Sequence, residues 1–461
     1  MPGPVVVILA AGKGTRMRSS MPKLLHEICG RPMIRWPVEV ARAAGAARIV
    51  VVDAPGRPLA ERLDPDVISV VQTQALGTGD ALRAAVGEIT AGDTVVVLYG
   101  DVPLIRPETV SALNAAHEGS GAAATMLTAV LEDPRGYGRV VRDAAGDVVR
   151  VVETKAPGDA TEAELGIHEV NTGIYAFSGA ELAPALDRIT NANAQGEYYL
   201  PDVLAILRAD GHRVAGHQLG DPVEMFNVND RVQLARAAAE AQRRIQERHM
   251  LAGVTLVNPG STVIGAEVRL DEDVVVESGC TLSGHTAVGR GSRIGPHSTL
   301  VDATVGEGSQ VIHSHVSETT IANGVSVGPF AYLRPGTLMR DGSKAGTFVE
   351  IKNSDVGAGA KVPHLSYIGD AEIGERTNLG AATITANYDG VHKHRTTIGA
   401  DVHGGVDTTF VAPVRVGDRA WTGAGSVITE DVPADALAIA RARQRTLEDY
   451  NARRRAVQER D

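Results

Sequence analysis

A glycine-rich segment with cationic side chains, "LAAGKGTRM" at residues 9–17, directly follows the apolar run "VVVI". Gly12 and Gly14 allow backbone N–H groups to approach an anion. Lys13, Arg16 and, further on, Lys23 supply positive charge. The spacing matches neither GxGxxG nor GxxxxGK[ST], which disfavours hydride transfer and P-loop hydrolysis. The segment predicts a polyphosphate-binding loop, with an ordinary turn as the alternative.

Two further segments end predicted strands in the same half. "VVQTQALGTGDA" places Gln72, Gly77 and Thr78 between a strand and a helix, and "LYGDVPL" ends another strand at Asp101. A carboxylate beside phosphates suits Mg²⁺, which takes its remaining ligands from phosphate and water. A helix N-cap is the alternative for a single aspartate.

Short aliphatic runs alternate with helix-like segments through this half: "VVVILAA", "WPVEVARAAGAA", "RIVVVD", "GDALRAAVGEI" and "TVVVLYGD". This alternation predicts a parallel sheet buried on both faces, with ligands bound beyond the carboxyl ends of the strands. From Arg231 to about Met250 the chain contains neither glycine nor proline, which predicts one long helix.

Beyond this helix an aliphatic residue recurs at every sixth position. The uninterrupted run is Ile264, Leu270, Val276, Leu282, Val288, Ile294 and Leu300. A period of six fits neither an α-helix nor an alternating strand and indicates a β-solenoid. After phase shifts the pattern resumes at Ile321, Val327 and Leu333, then at Ile373 and Leu379. A purely structural solenoid is the alternative to a catalytic one.

Size and charge limit the classes of function. The 461 residues predict two domains, and the net charge of −11 argues against nonspecific binding to nucleic acid or anionic membranes. Cys29 and Cys280 suggest neither a disulfide framework nor a thiolate metal site, so we expect buried small side chains in a reducing compartment. Apolar runs are shorter than the roughly 20 residues of a membrane helix. We therefore expect a cytoplasmic protein without a membrane partner.

The motifs of the first half resemble those of the GlmU family, bifunctional bacterial uridylyltransferases and acetyltransferases. They are "LAAGKGTRM", "PK", "LGTG", "YGDVPL", "GYGRVV", "VNTG" and "NAQGEYY", and their order and spacing match the family throughout the first half of the chain. The resemblance implies that a sugar 1-phosphate attacks the α-phosphorus of UTP and releases pyrophosphate. Arg16 and Lys23 would act on the phosphates, Asp101 and Asn229 would hold Mg²⁺, and Tyr199 would lie near the sugar.

The resemblance also implies a larger set of residues for UTP and the nucleotide-sugar product. These are Leu9, Ala10, Ala11, Gly12, Lys23, Gln72, Gly77, Thr78, Tyr99, Gly100, Asp101, Gly138, Glu153, Asn171 and Asn229.

Polar motifs in the second half, "YLRPG", "FVEIKNS", "PHLSYIGD", "TNLGAAT" and "ANYDG", are similar to the acetyltransferase segment of the same family. The resemblance implies His364 as the general base, since an unperturbed imidazole titrates near the working pH. It implies two sets of binding residues. Glucosamine 1-phosphate would be bound by Arg334, Lys352, Tyr367 and Asn378, with Lys393 nearby. Acetyl-CoA would be bound by Ala381, Asn387, Tyr388, Ala424 and Arg441.

The sequence departs from the family pattern at several positions. Asn227 and Pro201 stand where Gly and Thr are usual, which places a stiffer or shifted backbone near Asn229. Ala382 replaces a glycine in "GAAT", and Gly405 and Val406 replace a Gly-Ser pair. Valine cannot donate the hydroxyl of serine, so weaker binding of acetyl-CoA or slower acetyl transfer is expected.

We expect an α/β Rossmann-like nucleotidyltransferase domain with a mixed, mostly parallel sheet, followed by a left-handed parallel β-helix. The expected boundaries are 1–228, a helical linker at 229–250, an acetyltransferase domain at 251–445 and a tail at 446–461. The predicted enzyme acetylates glucosamine 1-phosphate and then transfers a uridylyl group to the product, as a homotrimer using Mg²⁺, UTP and acetyl-CoA. Two alternatives stay open: a uridylyltransferase with an inactive β-helix scaffold, and a regulatory protein that binds nucleotide sugars without turnover.

Overall fold

The computed structural model describes residues 3–154, 160–193 and 195–458. The chain forms two compact units, Met1–Arg244 and Ile245–Asp461.

The first unit is an α/β structure. Its helices and strands are β1 (Val5–Leu9), β2 (Glu27–Ile28), β3 (Arg31–Pro32), α1 (Arg35–Ala43), β4 (Arg48–Asp53), β5 (Ile68–Val71), α2 (Thr78–Arg83), β6 (Thr94–Tyr99), α3 (Pro107–Ser120), β7 (Ala124–Val130), β8 (Arg139–Arg142), β9 (Val148–Val152), α4 (Glu162–Leu165), β10 (Glu169–Ser178), α5 (Gly179–Arg188), α6 (Asp202–Ala209), β11 (Val214–Gln218) and the start of α7 (Arg231–Leu251).

The central sheet has the strand order β11-β7-β10-β6-β1-β4-β5. Only β10 along this path runs antiparallel to its neighbours, which confirms the mixed, mostly parallel sheet. Because side chains alternate across a strand, Val6 and Ile8 pack into one core while Val5 and Val7 pack into the core on the other face. Burial on both faces explains the continuous aliphatic runs of the sequence.

The carboxyl ends of the parallel strands meet at one edge of this sheet. Leu9 at the end of β1 pairs in register with Tyr99 at the end of β6, and Asp53 at the end of β4 pairs with Val71 at the end of β5. The glycine-rich loop, Asp101 and Gln72 follow these ends. The sheet therefore gathers the first group of predicted residues at one edge.

The long helix α7 spans 21 residues, Arg231–Leu251, as predicted. At 1.5 Å per residue it is about 30 Å long. Its Ala237 and Ala241 are buried in the core of the first unit.

The second unit is a left-handed parallel β-helix with three faces, and its strands are numbered in chain order. Face 1 contains β12 (Thr255–Leu256), β15 (Val275–Val276), β18 (Arg293–Ile294), β21 (Gln310–Val311), β24 (Ser326–Val327), β27 (Lys344–Thr347), β30 (Lys361–His364), β37 (Trp421–Thr422) and β39 (Leu437–Ala438). Face 2 contains β13 (Val263–Ile264), β16 (Thr281–Ser283), β19 (Thr299–Val301), β22 (His315–Ser317), β25 (Tyr332–Leu333), β28 (Glu350–Lys352), β31 (Tyr367–Gly369), β33 (Ile384–Ala386), β35 (Thr409–Val411) and β38 (Val427–Ile428). Face 3 contains β14 (Arg269–Leu270), β17 (Ala287–Val288), β20 (Thr304–Val305), β23 (Thr320–Ile321), β26 (Leu338–Met339), β29 (Asp355–Val356), β32 (Ala371–Ile373), β34 (Thr396–Ile398) and β36 (Val414–Val416).

The six-residue period is the length of one face. Val275 pairs with Arg293 one coil later, and each predicted aliphatic residue, such as Ile264 or Leu282, is buried inside the coil. The corner between faces 1 and 2 is occupied by residues with positive φ, including Phe330, at +59°, and later Ala382. The predicted β-solenoid is thus confirmed.

One coil is longer than its neighbours. It runs from Ile384 to its strand partner Thr409, whereas the preceding coils are closed by nearer pairs such as Glu350 with Tyr367. The extra residues lie between β33 and β34, where Tyr388 and Lys393 form an antiparallel bridge. The last described element is α8 (Tyr450–Gln458).

Two smaller points concern the cysteines and the helices. Cys280 is buried, as predicted, whereas Cys29 is only partly buried, and neither forms a disulfide. Within the described residues, no helix has both the length and the apolar character needed to cross a membrane.

Candidate active sites

A cavity of about 530 Å³ opens at the carboxyl edge of the sheet in the first unit. It is lined by Arg16 and most of the residues predicted for UTP. These are Leu9, Ala10, Ala11, Gly12, Lys23, Gln72, Gly77, Thr78, Tyr99, Asp101 and Asn229. Residues that the structure adds to this set include Thr15, Ala75, Ala81 and Glu197. Glu197 belongs to the "NAQGEYY" motif, so the sequence carried a signal for it.

Lys23 is the best-fixed cation of this cavity. Its Nζ donates to Oδ2 of Asp101 at 2.6 Å and to Oδ1 of Asn229 at 2.9 Å. Gly14, with φ of +60°, passes so close to this side chain that a Cβ at residue 14 would lie 2.4 Å from Cβ of Lys23. The second glycine of the loop therefore brings the loop backbone against Lys23.

Asp101 and Asn229 point one side-chain oxygen each at a common position, which Nζ of Lys23 occupies. They come from distant parts of the sequence, and the N–H of Val228 fixes this approach by donating to the carbonyl oxygen of Asp101 at 2.9 Å. Asn227 and Pro201, which depart from the family pattern, leave this arrangement in place; Pro201 precedes the first residue of α6. A carboxylate and an amide oxygen are hard donors that fit Mg²⁺ when phosphate and water complete the shell.

The opposite wall of the cavity is built around Gly77 and Gln72. The φ of Gly77 is +106°, and a Cβ there would lie 2.6 Å from the carbonyl oxygen of Tyr198. Nε2 of Gln72 donates to the carbonyl oxygen of Gly77 at 3.1 Å and to Oδ2 of Asp80 at 2.8 Å. These bonds fix the orientation of the buried Gln72 carboxamide.

Gly138, Glu153 and Asn171 form a second group outside the cavity lining. The N–H of Asn171 donates to the carbonyl oxygen of Gly138 at 2.9 Å, and a Cβ on Gly138 would lie 3.7 Å from Oε1 of Glu153. Tyr175 donates its hydroxyl to Oδ1 of Asn171 at 3.0 Å. Burial, together with the charge of Glu153 and other acidic groups, raises the pKa of Tyr175.

Tyr99 connects the two groups. It lines the cavity, and a Cβ on Gly173, two residues after Asn171, would lie 3.0 Å from its ring. Burial raises the pKa of the Tyr99 hydroxyl, and the charge of Asp101 raises it further. Gly100, which does not line the cavity, donates its N–H to the carbonyl oxygen of Leu9 at 3.0 Å. Tyr199, also outside the lining, donates its hydroxyl to Gln195 at 2.8 Å.

In the second unit, four predicted or flagged residues form one row along face 1. His364, Ala381, Val406 and Ala424 occupy the last position of the face in four successive coils. The row is defined by backbone bonds in which Ala382 donates to His364, Asp407 to Ala381, and Gly425 to Val406. His364 is exposed, and Val406 is 54% exposed. Arg441 lies next to the end of the row, since a Cβ on Gly425, the residue after Ala424, would lie 4.0 Å from Cδ of Arg441.

A cationic cluster forms around β25, β28 and β31 on face 2. Leu333 pairs with Ile351, so Arg334 and Lys352 are neighbours in adjacent coils. Nη1 of Arg334 bonds to Oε1 of Glu350 at 2.7 Å. Lys393, from the long coil, lies close enough to Lys352 for a hydrogen bond when one of the two amines is neutral. This contact and the repulsion between the two positive charges lower the pKa of Lys393. Tyr367 lies close enough to both side chains that its charge, when it is ionised, favours the protonated forms of Arg334 and Lys393.

The remaining predicted residues lie around these two features. Asn378 is exposed on face 1, in register with Lys361 and His403, and so is not on the face of the cationic cluster. Asn387 is buried at the start of the long coil, and the next residue, Tyr388, is exposed. The hydroxyl of Tyr388 donates to the carbonyl oxygen of Gly390 at 2.6 Å.

The departures from the family pattern in the second unit lie in the row of His364 or next to it. Ala382 has a φ of +58°, the left-handed region that favours glycine. Val406 lies between Ala381 and Ala424, where a serine would expose a hydroxyl. Gly405 is fixed by its surroundings, because a Cβ there would lie 2.5 Å from the carbonyl oxygen of Thr422.

Comparison with known proteins supports both halves. Residues 6–249 match the family model described as a MobA-like NTP transferase domain. Three relatives bear the name "Bifunctional protein GlmU". That from Kineococcus radiotolerans is 49% identical, over 98% of this chain and 92% of its own length. That from Paenarthrobacter aurescens is 50% identical, over 98% and 92%, and that from Heliobacterium modesticaldum is 48% identical, over 97% and 98%.

The mixed sheet with its loop-lined cavity and the three-faced β-helix define a nucleotidyltransferase joined to a hexapeptide-repeat domain. The similarity to the relatives covers both units. The chain belongs to the GlmU family of bifunctional proteins.

Proposed function

We propose that the two units carry two successive reactions of one enzyme. The chain is a bifunctional transferase, a glucosamine-1-phosphate N-acetyltransferase and a UDP-N-acetylglucosamine pyrophosphorylase, as expected for its family. Its small-molecule substrates are glucosamine 1-phosphate, acetyl-CoA and UTP. The product, UDP-N-acetylglucosamine, supplies cell-wall synthesis.

The proposed division assigns uridylyl transfer to residues 1–228 and acetyl transfer to residues 251–445. Residues 229–250 are the linker and 446–461 the tail.

Uridylyl transfer takes place in the cavity of the first unit. Gln72, Gly77 and Thr78 bind the nucleotide, and the N–H groups of the glycine-rich loop, with Arg16 and Lys23, bind its phosphates. Asp101 and Asn229 would hold Mg²⁺, which when bound neutralises phosphate charge. These groups favour in-line attack by the sugar phosphate oxygen on the α-phosphorus and stabilise the pyrophosphate that leaves.

The sugar is bound by the neighbouring group of Gly138, Glu153 and Asn171. The position of Tyr99 between this group and the cavity supports one continuous site. No protein nucleophile is needed for this reaction, because both substrates can be positioned by hydrogen bonds and charge.

Acetyl transfer uses the row of His364. The imidazole accepts a proton from the amine of glucosamine 1-phosphate as the nitrogen attacks the thioester carbonyl carbon. The C–N bond forms, the C–S bond breaks, and the CoA thiolate leaves and takes up a proton. Arg334, Lys352 and Lys393 bind the sugar phosphate, while the small side chains of Ala381 and Ala424 leave room for acetyl-CoA.

One observation carries the acetyl assignment: four consecutive coils place His364, Ala381, Val406 and Ala424 in a single row. A scaffold without activity has no need for small side chains beside an exposed histidine. The test is release of free thiol from acetyl-CoA with glucosamine 1-phosphate, measured beside release of pyrophosphate from UTP with N-acetylglucosamine 1-phosphate.

His364→Ala is expected to lower thiol release on the order of 100-fold or more and to leave pyrophosphate release unchanged. Wild-type protein that releases pyrophosphate but no thiol would establish the scaffold alternative. Binding of UTP without pyrophosphate release would instead support the regulatory alternative.

We also propose a homotrimer in the cytoplasm, where UTP and acetyl-CoA are available. An exposed apolar corner of the β-helix supports self-association: the rings of Phe330 and Phe348 stack 5.3 Å apart, and Leu365 follows one coil later. Phe348→Asp is expected to reduce the mass measured by light scattering to that of a monomer. Val232→Asp on the exposed side of α7 is the control; a monomeric wild-type protein would contradict the proposal.

A further inference from the structure

Asp370 is a buried carboxylate at the corner that follows β31. Its side chain and backbone are only 8% exposed, and its φ is +49°. The backbone N–H donates to the carbonyl oxygen of Lys352 at 3.0 Å, and the carbonyl oxygen accepts from the N–H of Thr396 at 3.2 Å. The backbone position of Asp370 is thus fixed by the adjacent coils.

The carboxylate of Asp370 contacts three side chains. Oδ1 accepts from Nδ2 of Asn353 at 2.6 Å, Oδ2 accepts from Nδ2 of Asn387, and Nζ of Lys352 lies 3.9 Å from Oδ2. Burial opposes ionisation, but the hydrogen bonds and the two nearby lysines outweigh it and lower the pKa of Asp370. Burying a carboxylate costs desolvation free energy even when it has several partners, so a role for Asp370 beyond stability is to be sought.

Asn387 is the partner that gives this reason. It is buried at the start of the long coil, and its carboxamide lies against both Asp370 and Gly369. A Cβ on Gly369 would lie 2.8 Å from Nδ2 of Asn387 and 2.5 Å from the hydroxyl of Tyr367. Gly369 therefore leaves space for the Asn387 carboxamide. Asp370 supplies the hydrogen-bond acceptor that selects one of its two orientations.

We propose that Asp370 is a positioning residue for acetyl transfer, which holds the carboxamide of Asn387 with its nitrogen inward and its oxygen free for the acetyl-CoA side. The inference rests on the proposed function of the second unit. A carboxamide can rotate by half a turn and exchange oxygen for nitrogen, and a carboxylate acceptor permits only one of the two orientations. Asp370 itself need not touch either substrate.

The corner offers well-matched variants. Asn353 occupies the same corner one coil earlier with a φ of +44°, and Gly336 occupies it one coil before that, so both asparagine and glycine fit the backbone. Asp370→Asn removes the charge and one acceptor oxygen, and Asp370→Gly removes the whole carboxylate without backbone strain. Asp302→Asn is the control, because Asp302 follows β19 at the same corner with a φ of +48° and is exposed.

The experiment measures kcat and KM for acetyl-CoA and the thermal midpoint in full-length wild type, these three variants, Asn387→Ala, and the double variant Asp370→Asn/Asn387→Ala. Asp370→Asn is expected to lower kcat/KM for acetyl-CoA at least tenfold, with uridylyl transfer unchanged and Asp302→Asn within twofold of wild type. In the Asn387→Ala background Asp370→Asn is expected to change kcat/KM less than twofold, because the two residues then act as one unit. Asp370→Gly replaces Asp370→Asn in each comparison if the asparagine variant does not fold.

Two results would overturn the positioning role. Either Asp370→Asn retains acetyl transfer within twofold of wild type, or its effect multiplies with that of Asn387→Ala, as two independent contributions would. If the wild-type chain shows no acetyl transfer at all, the proposed function and this inference fail together. That outcome differs from the two results above, in which the wild type is active.

Discussion

The ammonium group of Lys23 lies 2.6 Å from the carboxylate of Asp101. The first residue follows β1 and the second follows β6, so the pair closes the cavity across two adjacent parallel strands. Asn229 joins the same ammonium group from the segment before α7. One cation is therefore held inside the cavity, at the position proposed for the phosphates.

Replacing Lys23 tests this position directly. Lys23→Met keeps the length of the side chain but removes its charge, and uridylyl transfer is expected to fall on the order of 100-fold or more because a fixed cation is lost from the phosphate site. Pyrophosphate release is the measurement, and acetyl transfer by the same protein is the internal control. Equal loss of both activities would point to a folding defect instead.

Asp101→Asn is expected to change the metal requirement. With one carboxylate converted to an amide, the Mg²⁺ concentration for half-maximal uridylyl transfer should rise at least tenfold, since Mg²⁺ prefers charged oxygen ligands. A Mg²⁺ titration of pyrophosphate release measures the shift. Chelation by EDTA should abolish uridylyl transfer and leave acetyl transfer intact; an unchanged Mg²⁺ dependence in Asp101→Asn would remove this residue from the proposed metal site.

Val406→Ser should improve acetyl transfer. A hydroxyl in the row between Ala381 and Ala424 can add one hydrogen bond, worth about 0.5–1.5 kcal/mol, or roughly a two- to tenfold gain in kcat/KM for acetyl-CoA. Val406→Ala is the matched control, because it shortens the side chain without adding a hydroxyl. An equal gain in both variants would attribute the effect to space.

Acetyl transfer should depend on pH through Lys393. The pKa of Lys393 is lowered because a hydrogen bond with the Lys352 amine favours the neutral form and because the two positive charges repel. Its charge is therefore present below this lowered pKa and lost as pH rises through it. KM for glucosamine 1-phosphate is therefore expected to increase toward alkaline pH. Lys393→Arg, which stays charged, should flatten that increase; a KM that rises identically in both proteins would exclude Lys393 as the titrating group.

Ala382→Gly should leave the β-helix equally stable or stabilise it by up to about 1.5 kcal/mol. Relief of the left-handed strain of about 1–2 kcal/mol exceeds the entropic cost of glycine, about 0.5–1 kcal/mol. Urea unfolding followed by Trp421 fluorescence in a Trp36→Phe background reports on the second unit alone. Ala381→Gly, outside the left-handed region, should destabilise the same transition.

The sequence predicted the architecture because burial imposes periodicity. Ile264 and its equivalents recur at every sixth position since each face of the β-helix has one central inward position. The glycine-rich loop and Asp101 could be placed at one sheet edge because parallel strands end together. Both inferences depend on local spacing alone.

Other relationships could not be obtained from spacing. The coils differ in length, as the strand pairs Gln310–Ser326 and Ile384–Thr409 show, so counting along the chain does not identify which residue lies above His364. The contact between Asp370 and Asn387 involves the start of the long coil, whose length no repeat predicts. The bond from Lys23 to Asn229 joins residues 206 positions apart, a closure that no local pattern encodes.

The β-helix fixes distances along its axis in multiples of one constant rise per coil. Each coil rises by the strand spacing of about 4.8 Å, so Ala424, three coils from His364, stands about 14 Å away along the axis. A coil removed or added between them would shorten or lengthen that reach by one step while every backbone bond of the ladder re-forms. In the proposed acetyl-transfer site, the number of coils between His364 and the far end of the row therefore sets the distance that the acyl carrier has to span.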